Sequence, residues 1–376
     1  MTSSVATEQA AAVTEYGIPI RNVWHMLLYA WGQYPDAKRW RSEVERAPSL
    51  EGLLAMVLAR LVEQRLRIGL GREYVAVDRR LRGIRGRVDF NRSLLDRTFE
   101  QGEAHCRYES FEVDAPRNQI IKSMLARLVR EGRFGPNLSE AKQLRHRLRR
   151  LVRDLDGINP VAVDIDHIRR VQLGRNDGDY RLMLSICEYL LETSMPTEYS
   201  GRRASTKVNR DDLTLYKLFE QFVAAFFRQH LSGWQVSRQS GMPWPVETVV
   251  PRLPMMIPDL VLHDPRESRM IVLDTKFTAG SLRTGVGGKR TYDSSHLYQL
   301  YAYLRTQEAK SPVHRVASGV LLYPGAGTEL SDRFIVQGHE VRIETVDLAG
   351  DWTTVERRLL DTVRSSAPAS LINPAT

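Results

Sequence analysis

The chain has 376 residues, of which 42% are hydrophobic, a composition that is ordinary for a globular protein with a buried core. Its length favours two domains. Lysine and arginine (54) exceed aspartate and glutamate (45), and a net charge of +9 attracts polyanions, of which nucleic acid is the commonest. Cys106 and Cys187 are too few for a disulfide framework or a structural zinc site. No run approaches the ~20 apolar residues that cross a bilayer, so the sequence predicts no membrane association.

The first 17 residues are predicted to be a disordered tail. They are small and polar, include the acidic Glu8 and Glu15, and lack the basic region with which a signal peptide begins. Together with two unpaired cysteines, this predicts a cytoplasmic protein.

Residues 18–205 are predicted to form an N-terminal domain of mixed helical and β structure. Apolar residues with helical spacing predict five helices, over 18–31, 50–68, 118–130, 139–155 and 180–193. Residues 74–89 alternate in polarity and contain Gly83 and Gly86, which predicts strands and a tight turn.

The helix predicted over 139–155 is the most basic element of the chain. Its six cations surround a stripe of leucines: Lys142, Arg145, Arg147, Arg149, Arg150 and Arg153. Such a helix can face phosphates, face an acidic partner protein, or simply be solvated on its outer side. The sequence leaves these alternatives open.

The polar segment 198–210 marks a domain boundary, and residues 206–376 differ from the preceding domain in having several strand-like segments between their predicted helices. Helices are predicted over 211–231, 292–305 and 353–364. Strands are predicted over 234–238, 260–263, 270–274, 319–323 and 339–345. This order predicts an α/β (α+β) fold in which helices flank a mixed central sheet.

Two acidic residues lie at the ends of neighbouring predicted strands. Asp259 follows Pro258 and precedes one strand, and Asp274-Thr275-Lys276 ends the next. Phosphodiester cleavage needs an activated water and a stabilised transition-state charge, and Mg²⁺, for which Mn²⁺ can substitute, provides both through carboxylate ligands. The strand period of two puts Lys276 on the same face as Asp274, where its ammonium can meet the scissile phosphate. The carbonyl of Thr275 is available to the metal.

Glu220 lies on a predicted helix that is apolar nearly all round and therefore buried. A buried carboxylate costs several kcal/mol, as a rough estimate, unless it is paired or bound to a metal. Glu220 is therefore predicted either to complete the metal site or to pair with a nearby arginine. Gln299 and Tyr303, four residues apart on a helix, are predicted to support the same site.

The segment 280–290 is rich in glycine and basic, and Lys289 and Arg290 are candidates for DNA contact because the segment follows Lys276 closely. A Walker A motif is absent, since positions 283 and 290 around Gly288-Lys289 are arginines. The sequence therefore predicts that this chain binds no nucleotide itself. The HExxH and GxSxG motifs are absent as well.

Pro258-Asp259, Asp274-Thr275-Lys276 and Gln299-x-x-x-Tyr303 together resemble the PD-(D/E)xK nuclease superfamily in its RecB-like branch. Segments 18–31, 82–90, 111–114 and 118–122 resemble the McrC family, the nuclease subunit of the McrBC modification-dependent restriction system. The resemblance is patchy but runs from residue 18 to about residue 345.

The resemblance implies a Mg²⁺-dependent endonuclease that cuts double-stranded DNA in a type IV restriction system. It also implies a partner, a hexameric AAA+ GTPase of the McrB type, which reads the modified cytosine and translocates DNA. The N-terminal region of this family inserts into the ring and stimulates GTP hydrolysis. Two alternatives remain: a stand-alone RecB-like DNA repair nuclease, and a catalytically inactive activator of a partner GTPase. The presence of Asp259, Asp274 and Lys276 together argues against the last.

Overall fold

The computed structural model describes residues 14, 17–194, 210–248, 250–276, 283–284, 290–325 and 330–364. Of residues 36, 210–213, 283, 284 and 290 it describes the backbone only. The predicted disordered tail and the boundary segment 198–210 therefore lie almost entirely outside the described residues.

The described residues contain helices and strands throughout. The helices are α1 (Ile20–Ala30), α2 (Arg41–Arg46), α3 (Leu50–Ile68), α4 (Phe90–Leu95), α5 (Pro116–Glu131), α6 (Leu138–Asp154), α7 (Ile165–Arg169), α8 (Gly178–Ser194), α9 (Arg210–His230), α10 (Ser294–Gln307), α11 (Pro312–Arg315) and α12 (Trp352–Arg364). The strands are β1 (Glu73–Arg82), β2 (Arg87–Val88), β3 (Glu103–Glu112), β4 (Gln235–Arg238), β5 (Leu260–Asp264), β6 (Arg269–Thr275), β7 (Arg283–Thr284), β8 (Arg290–Thr291), β9 (Ser318–Gly325), β10 (Ser331–Val336) and β11 (His339–Asp347).

The described residues form two compact units. Residues 46–194 form one, and the residues up to 45 together with those from 210 onward form the other. We call them the helical unit and the sheet unit.

In the helical unit, α3, α5, α6 and α8 pack around a shared apolar core. The predicted bounds of α3 are confirmed. The helix begins after Ser49, because the Ser49 hydroxyl caps it by accepting a hydrogen bond of 3.0 Å from the Gly52 N–H. Leu58 and Leu61 of α3 and Leu148 and Leu151 of α6 are almost fully buried. Each such burial contributes about 1.5–3 kcal/mol to folding.

A three-stranded antiparallel sheet completes the helical unit, with the order β1-β3-β2. Strands were predicted over 74–89 and are present, with Gly83 and Gly86 at positive φ in the turn between them. The two strands do not pair with each other, however, because β3 lies between them. Strand β3 was not predicted, because its buried positions are the small Ala104 and Cys106 and the polar His105 rather than large apolar residues.

The sheet unit contains a six-stranded mixed sheet with the order β10-β11-β9-β6-β5-β4. β9 pairs in parallel with β6 and with β11, and the other neighbours are antiparallel. Helix α10 packs on one face, where Leu300 and Leu304 contact the core side chains of β6 and β9. Helix α12 covers the opposite face, since Arg358 pairs with Glu344 while Ile343 faces α10. The predicted mixed sheet flanked by helices is confirmed.

Helix α1 belongs to the sheet unit and not to the domain of residues 18–205 in which the sequence placed it. The buried Asn22 side chain donates hydrogen bonds to the carbonyls of Leu348 (2.7 Å) and Gly350 (2.9 Å). The ring of Tyr29 packs edge-on against Phe222 of α9, with 5.4 Å between the ring centroids. These contacts join residues more than 190 positions apart, so local sequence carries no sign of them.

Replacing Asn22 with alanine should lower the free energy of unfolding of the sheet unit by about 2 kcal/mol, because two carbonyls lose their donor. All six tryptophans of the chain (Trp24, Trp31, Trp40, Trp234, Trp244 and Trp352) lie in this unit. Tryptophan fluorescence during urea unfolding therefore measures its stability selectively.

The control is Gln229→Ala, which removes an exposed amide from α9 in the same unit. If Asn22→Ala unfolds like this control, α1 is not held by these two hydrogen bonds.

Candidate functional site

Two acidic residues meet where β5 begins and β6 ends. The antiparallel register pairs Leu260 with Leu273, so that Asp259 and Asp274 are neighbours across the strands. Carboxylate oxygen Oδ2 of Asp259 accepts hydrogen bonds from the Thr275 N–H (2.7 Å) and the Thr275 hydroxyl (2.6 Å). The Asp259 N–H in turn donates to the Asp274 carboxylate. The structure therefore brings together Asp259, Asp274 and Thr275, as the sequence predicted they would be.

Asp274 has the most perturbed carboxyl group of this cluster. Its side chain is buried, and burial together with the negative charge of Asp259 raises its pKa from 3.8 to about 6. The positive charge of Lys276 opposes this rise. A buried carboxyl beside a second one is an arrangement found at metal and acid–base sites.

Lys276 directly follows β6, and its backbone N–H donates to the Leu322 carbonyl of β9 (2.9 Å). Its ammonium nitrogen lies 2.5 Å from Oδ2 of Asp274. The same nitrogen donates a 2.8 Å hydrogen bond to Oε1 of Gln299. The cation is thus held between the acid pair and helix α10.

Gln299 and Tyr303 connect α10 to the loop that carries Asp259. Gln299 Nε2 donates to the Tyr303 hydroxyl (2.6 Å), and that hydroxyl donates to the Ile257 carbonyl (3.2 Å). Burial and the charges of Asp274 and Asp259 raise the pKa of Tyr303 to about 12, so its hydroxyl stays protonated. A continuous chain of hydrogen bonds therefore runs from Lys276 to the residue that precedes Pro258-Asp259.

Glu220 of α9 is buried, and it forms the ion pair that was one of its two predicted roles. Its Oε1 accepts hydrogen bonds from Arg238 Nη2 (2.9 Å) and Nε (3.3 Å) and from Gln239 Nε2 (3.1 Å). The Gln239 N–H also donates to the Asp259 carbonyl (3.0 Å), which extends the pairing of β4 with β5 toward the acid pair. Within the described part of the chain, no hydrogen bond reaches Oε2 of Glu220. A role of Glu220 as metal ligand stays a prediction.

Tyr216, one helical turn before Glu220, is a site residue that the sequence did not single out. Burial raises the pKa of its hydroxyl, and so do the charges of Asp259, Asp274 and Glu220. All three carboxylates therefore act on one phenol group. The only sequence signal was its spacing of four residues from Glu220, and an aromatic residue on an apolar helix is ordinarily a core residue.

Comparison with known proteins now identifies the family. A family model described as McrBC 5-methylcytosine restriction system component matches residues 8–324. The chain belongs to this family. The resemblance to McrC stated from the sequence is thereby confirmed.

One relative of this McrBC family protein is the type IV methyl-directed restriction enzyme EcoKMcrBC of Escherichia coli (strain K12). It is 26% identical over 348 residues, which cover 92% of this chain and 97% of the relative. A similar solved structure is the refined half-complex from a tetradecameric assembly of Thermococcus gammatolerans McrB AAA+ hexamers with bound McrC. It aligns with a TM-score of 0.54 at 19% identity and covers 92% of this chain and 76% of that chain. At this identity the likeness concerns the fold alone, and it agrees with the predicted α/β class.

The site of this McrBC family protein has ligands suited to a hard divalent cation. Mg²⁺ prefers carboxylate oxygens and often takes only one or two from the protein. Asp259 and Asp274 are such a pair, and their mutual repulsion is what a cation would relieve. Among the described residues, no group of three or more histidine, cysteine, aspartate or glutamate side chains is arranged to hold a metal. The geometry brings Asp259 and Asp274 together as a pair, and whether Glu220 joins them at a metal stays a prediction.

Little of the basic segment after Lys276 lies within the described residues. Lys289 lies outside the described residues, and Arg290 begins β8 with only its backbone described. Their contact with DNA stays a prediction. None of the helices that the structure describes is long and apolar enough to span a bilayer.

Replacing Asp274 with asparagine should stabilise the sheet unit by about 1–2 kcal/mol at pH 8 in EDTA. A folded-state pKa raised from 3.8 to about 6 means that the ionised form opposes folding above that pH. The raised pKa already includes the opposing charge of Lys276. We expect less than the full shift would supply because the buried asparagine amide must find hydrogen-bond partners of its own. The difference between variant and parent should shrink as the pH falls from about 6 and vanish below pH 3.8, where Asp274 is protonated in the folded and the unfolded chain alike.

Urea unfolding followed by tryptophan fluorescence checks this. Glu247→Gln makes the same charge change on an exposed residue of the same unit and serves as the control. A variant less stable than this control at pH 8 would show that Lys276 already neutralises the pair.

Proposed function

We propose that this chain is the endonuclease subunit of a modification-dependent (type IV) restriction system, and that it hydrolyses phosphodiester bonds of double-stranded DNA with Mg²⁺. The observation that supports this most is the buried pair Asp259 and Asp274, with the Lys276 ammonium beside it at one edge of a mixed sheet. Family membership and the basic net charge of +9 agree with a DNA substrate.

In this proposal Asp259 and Asp274 hold Mg²⁺, together with the carbonyl of Thr275. Glu220 contributes through Oε2, the oxygen that Arg238 and Gln239 leave without a hydrogen bond. The bound ion would lower the pKa of a water nucleophile and stabilise charge on the phosphorane. Mn²⁺ can replace it because it takes the same oxygen ligands.

Lys276 places a positive charge where the scissile phosphate would lie. The hydrogen bond from the Lys276 ammonium to Gln299 holds the ammonium in this position. Gln299 is itself held by its hydrogen bond to Tyr303, whose hydroxyl donates to the Ile257 carbonyl. A cation held in advance stabilises a developing charge without reorganising during the reaction. Gln299 and Tyr303 are thus positioning residues that support Lys276.

We further propose that the chain works with an AAA+ GTPase of the McrB type that forms a hexameric ring. The similar solved structure is described as McrB hexamers with bound McrC. The chain carries no Walker A motif, so the nucleotide would be bound and hydrolysed by the partner. The helical unit, residues 46–194, contains most of the segments that resemble the N-terminal region of McrC. It is therefore the part that we propose to bind the partner. These proteins would act in the cytoplasm.

The decisive experiment measures cleavage of methylated double-stranded DNA by the full chain with a co-expressed McrB-type GTPase, GTP and Mg²⁺. Asp274→Asn and Lys276→Ala should each lower the cleavage rate by on the order of 100- to 1,000-fold or more. Stimulation of GTP hydrolysis should remain, since these residues do not contact nucleotide. Glu247→Gln is the matched control and should cut at the parental rate.

Three other outcomes would contradict the proposal. Cleavage by the chain alone, without GTP, indicates a stand-alone RecB-like repair nuclease. Stimulated GTP hydrolysis with no cleavage by the parent chain indicates an inactive activator. Normal cleavage by Asp274→Asn shows that the site lies elsewhere.

Metal binding can be tested without activity. At a Mg²⁺ concentration of ten times Kd, the sheet unit of the parent should gain about 1.4 kcal/mol of unfolding free energy. Asp259→Asn and Asp274→Asn should gain none. Glu220→Gln separates the two roles of Glu220: a reduced gain supports a ligand, and an unchanged gain leaves it as the partner of Arg238.

A further inference from the structure

Half of the six cations of α6 are used inside the helical unit. Arg147 binds Glu63 of α3 through Nε (2.8 Å) and Nη2 (2.7 Å), and Arg150 Nη2 reaches the same carboxylate at 3.1 Å. Arg145 donates to the Gly132 carbonyl (2.7 Å) and lies over the ring of Phe134, 5.4 Å from its centroid. These three arginines hold α6 in place and are not available as a free binding surface.

The remaining cations, Lys142, Arg149 and Arg153, form a row on the outside of α6. With His146 they are spaced four, three and four residues apart, which aligns them along one side of an α-helix. All four side chains are exposed. The described residues offer none of them an ion pair or a hydrogen bond. We call these four residues the outer row.

The outer row lies opposite the face by which α6 packs. At about 100° per residue, the row is about 160° around the helix from the buried stripe of Leu148, Leu151 and Leu155. The two acids of α6, Glu140 and Asp154, fall on its other sides. A solvated helix ordinarily alternates acidic and basic residues four apart, and this row does not.

The dimensions of the outer row suit a phosphate backbone. Lys142 and Arg153 are separated by about 16 Å along the helix axis at 1.5 Å per residue. That length equals about five base pairs of duplex at 3.4 Å each. No large apolar side chain between Lys142 and Arg153 is exposed on α6. Protein interfaces are built around apolar and aromatic cores, which the row lacks, so the row fits DNA better than an acidic protein.

We propose that the outer row of α6 binds the phosphate backbone of the DNA duplex and so gives the helical unit a DNA-binding surface of its own. The inference rests on the proposed function, which supplies double-stranded DNA as the substrate. It adds that the chain holds DNA with two surfaces, the cutting site in the sheet unit and the outer row in the helical unit.

The test is the salt dependence of DNA binding by the full chain in EDTA, so that cutting has no part in the result. The probe is a fluorescein-labelled 30-base-pair duplex, and anisotropy gives the affinity between 50 and 300 mM KCl. The variant is Lys142→Gln/Arg149→Gln/Arg153→Gln. Each phosphate contact contributes about 0.9 to the slope of log K against log salt. The slope should therefore become shallower by about 2 to 3, and the affinity at 100 mM KCl should fall about tenfold or more.

Two matched variants control this result. Arg72→Gln/Arg170→Gln/Arg175→Gln removes the same charge from exposed positions elsewhere in the helical unit and should leave the slope unchanged. Lys142→Arg/Arg149→Lys/Arg153→Lys keeps the charges and should bind like the parent. Far-UV circular dichroism of all variants checks that α6 still forms.

An unchanged slope in the outer-row variant overturns the proposal, and so does a parent chain that does not bind the duplex. Parental DNA binding with a loss of GTPase stimulation overturns it as well and assigns the row to the protein partner. Failure of the proposed function can be told apart from failure of this inference. The first appears as unchanged cleavage by Asp274→Asn in the presence of Mg²⁺, and the second as an unchanged salt slope in EDTA.

Discussion

The candidate site depends on one pairing, that of β5 with β6. Asp259 precedes the first strand and Asp274 lies in the second, and the register that pairs Leu260 with Leu273 sets their carboxylates side by side. Thr275 fixes this register locally, since both its N–H and its hydroxyl donate to Asp259. A slip of one residue would turn Asp274 to the opposite face of the sheet. The hydrophobic strands on either side prevent such a slip, because it would also expose their buried side chains.

The pairing creates an electrostatic cost that the surrounding residues manage. Burial of Asp274, and next to it the negative charge of Asp259, raise the pKa of the Asp274 carboxyl. Lys276 offsets part of the repulsion, but it is tethered to Gln299 and so does not neutralise the pair fully. The residues proposed to carry the chemistry are therefore also the ones whose ionised form opposes folding. In the proposed function a divalent cation bound between these carboxylates would stabilise the fold, which would link the folding of the sheet unit to its proposed chemistry.

Local patterns in the sequence predicted most of the helices and strands. Contacts between residues far apart in the sequence determine how these elements are grouped and which side chains pair. The acid pair and Lys276 could be anticipated because each follows or precedes an apolar strand, where spacing alone fixes their side. Strand β3 could not, since it buries mainly small residues. Helix α1 looked like part of the N-terminal domain because its partners are far away in the sequence, Phe222 by more than 190 residues and Leu348 by more than 300. The pairing of Glu220 with Arg238 was only one of two options until α9 and β4 were placed together.

The charge of α6 is a second case in which the sequence could not distinguish between alternatives that the contacts of the structure separate. A count of its cations treats all six alike, and the alternatives of phosphate, partner and solvent followed from that count. The structure divides them by partner: Glu63 neutralises Arg147 and Arg150, while Arg149 and Arg153 are exposed and form no ion pair with the described residues. The internal pairs anchor the helix and keep its outer face turned outward. A net charge of +9 therefore understates how unevenly the positive charge is distributed, and the uneven part is what another molecule meets.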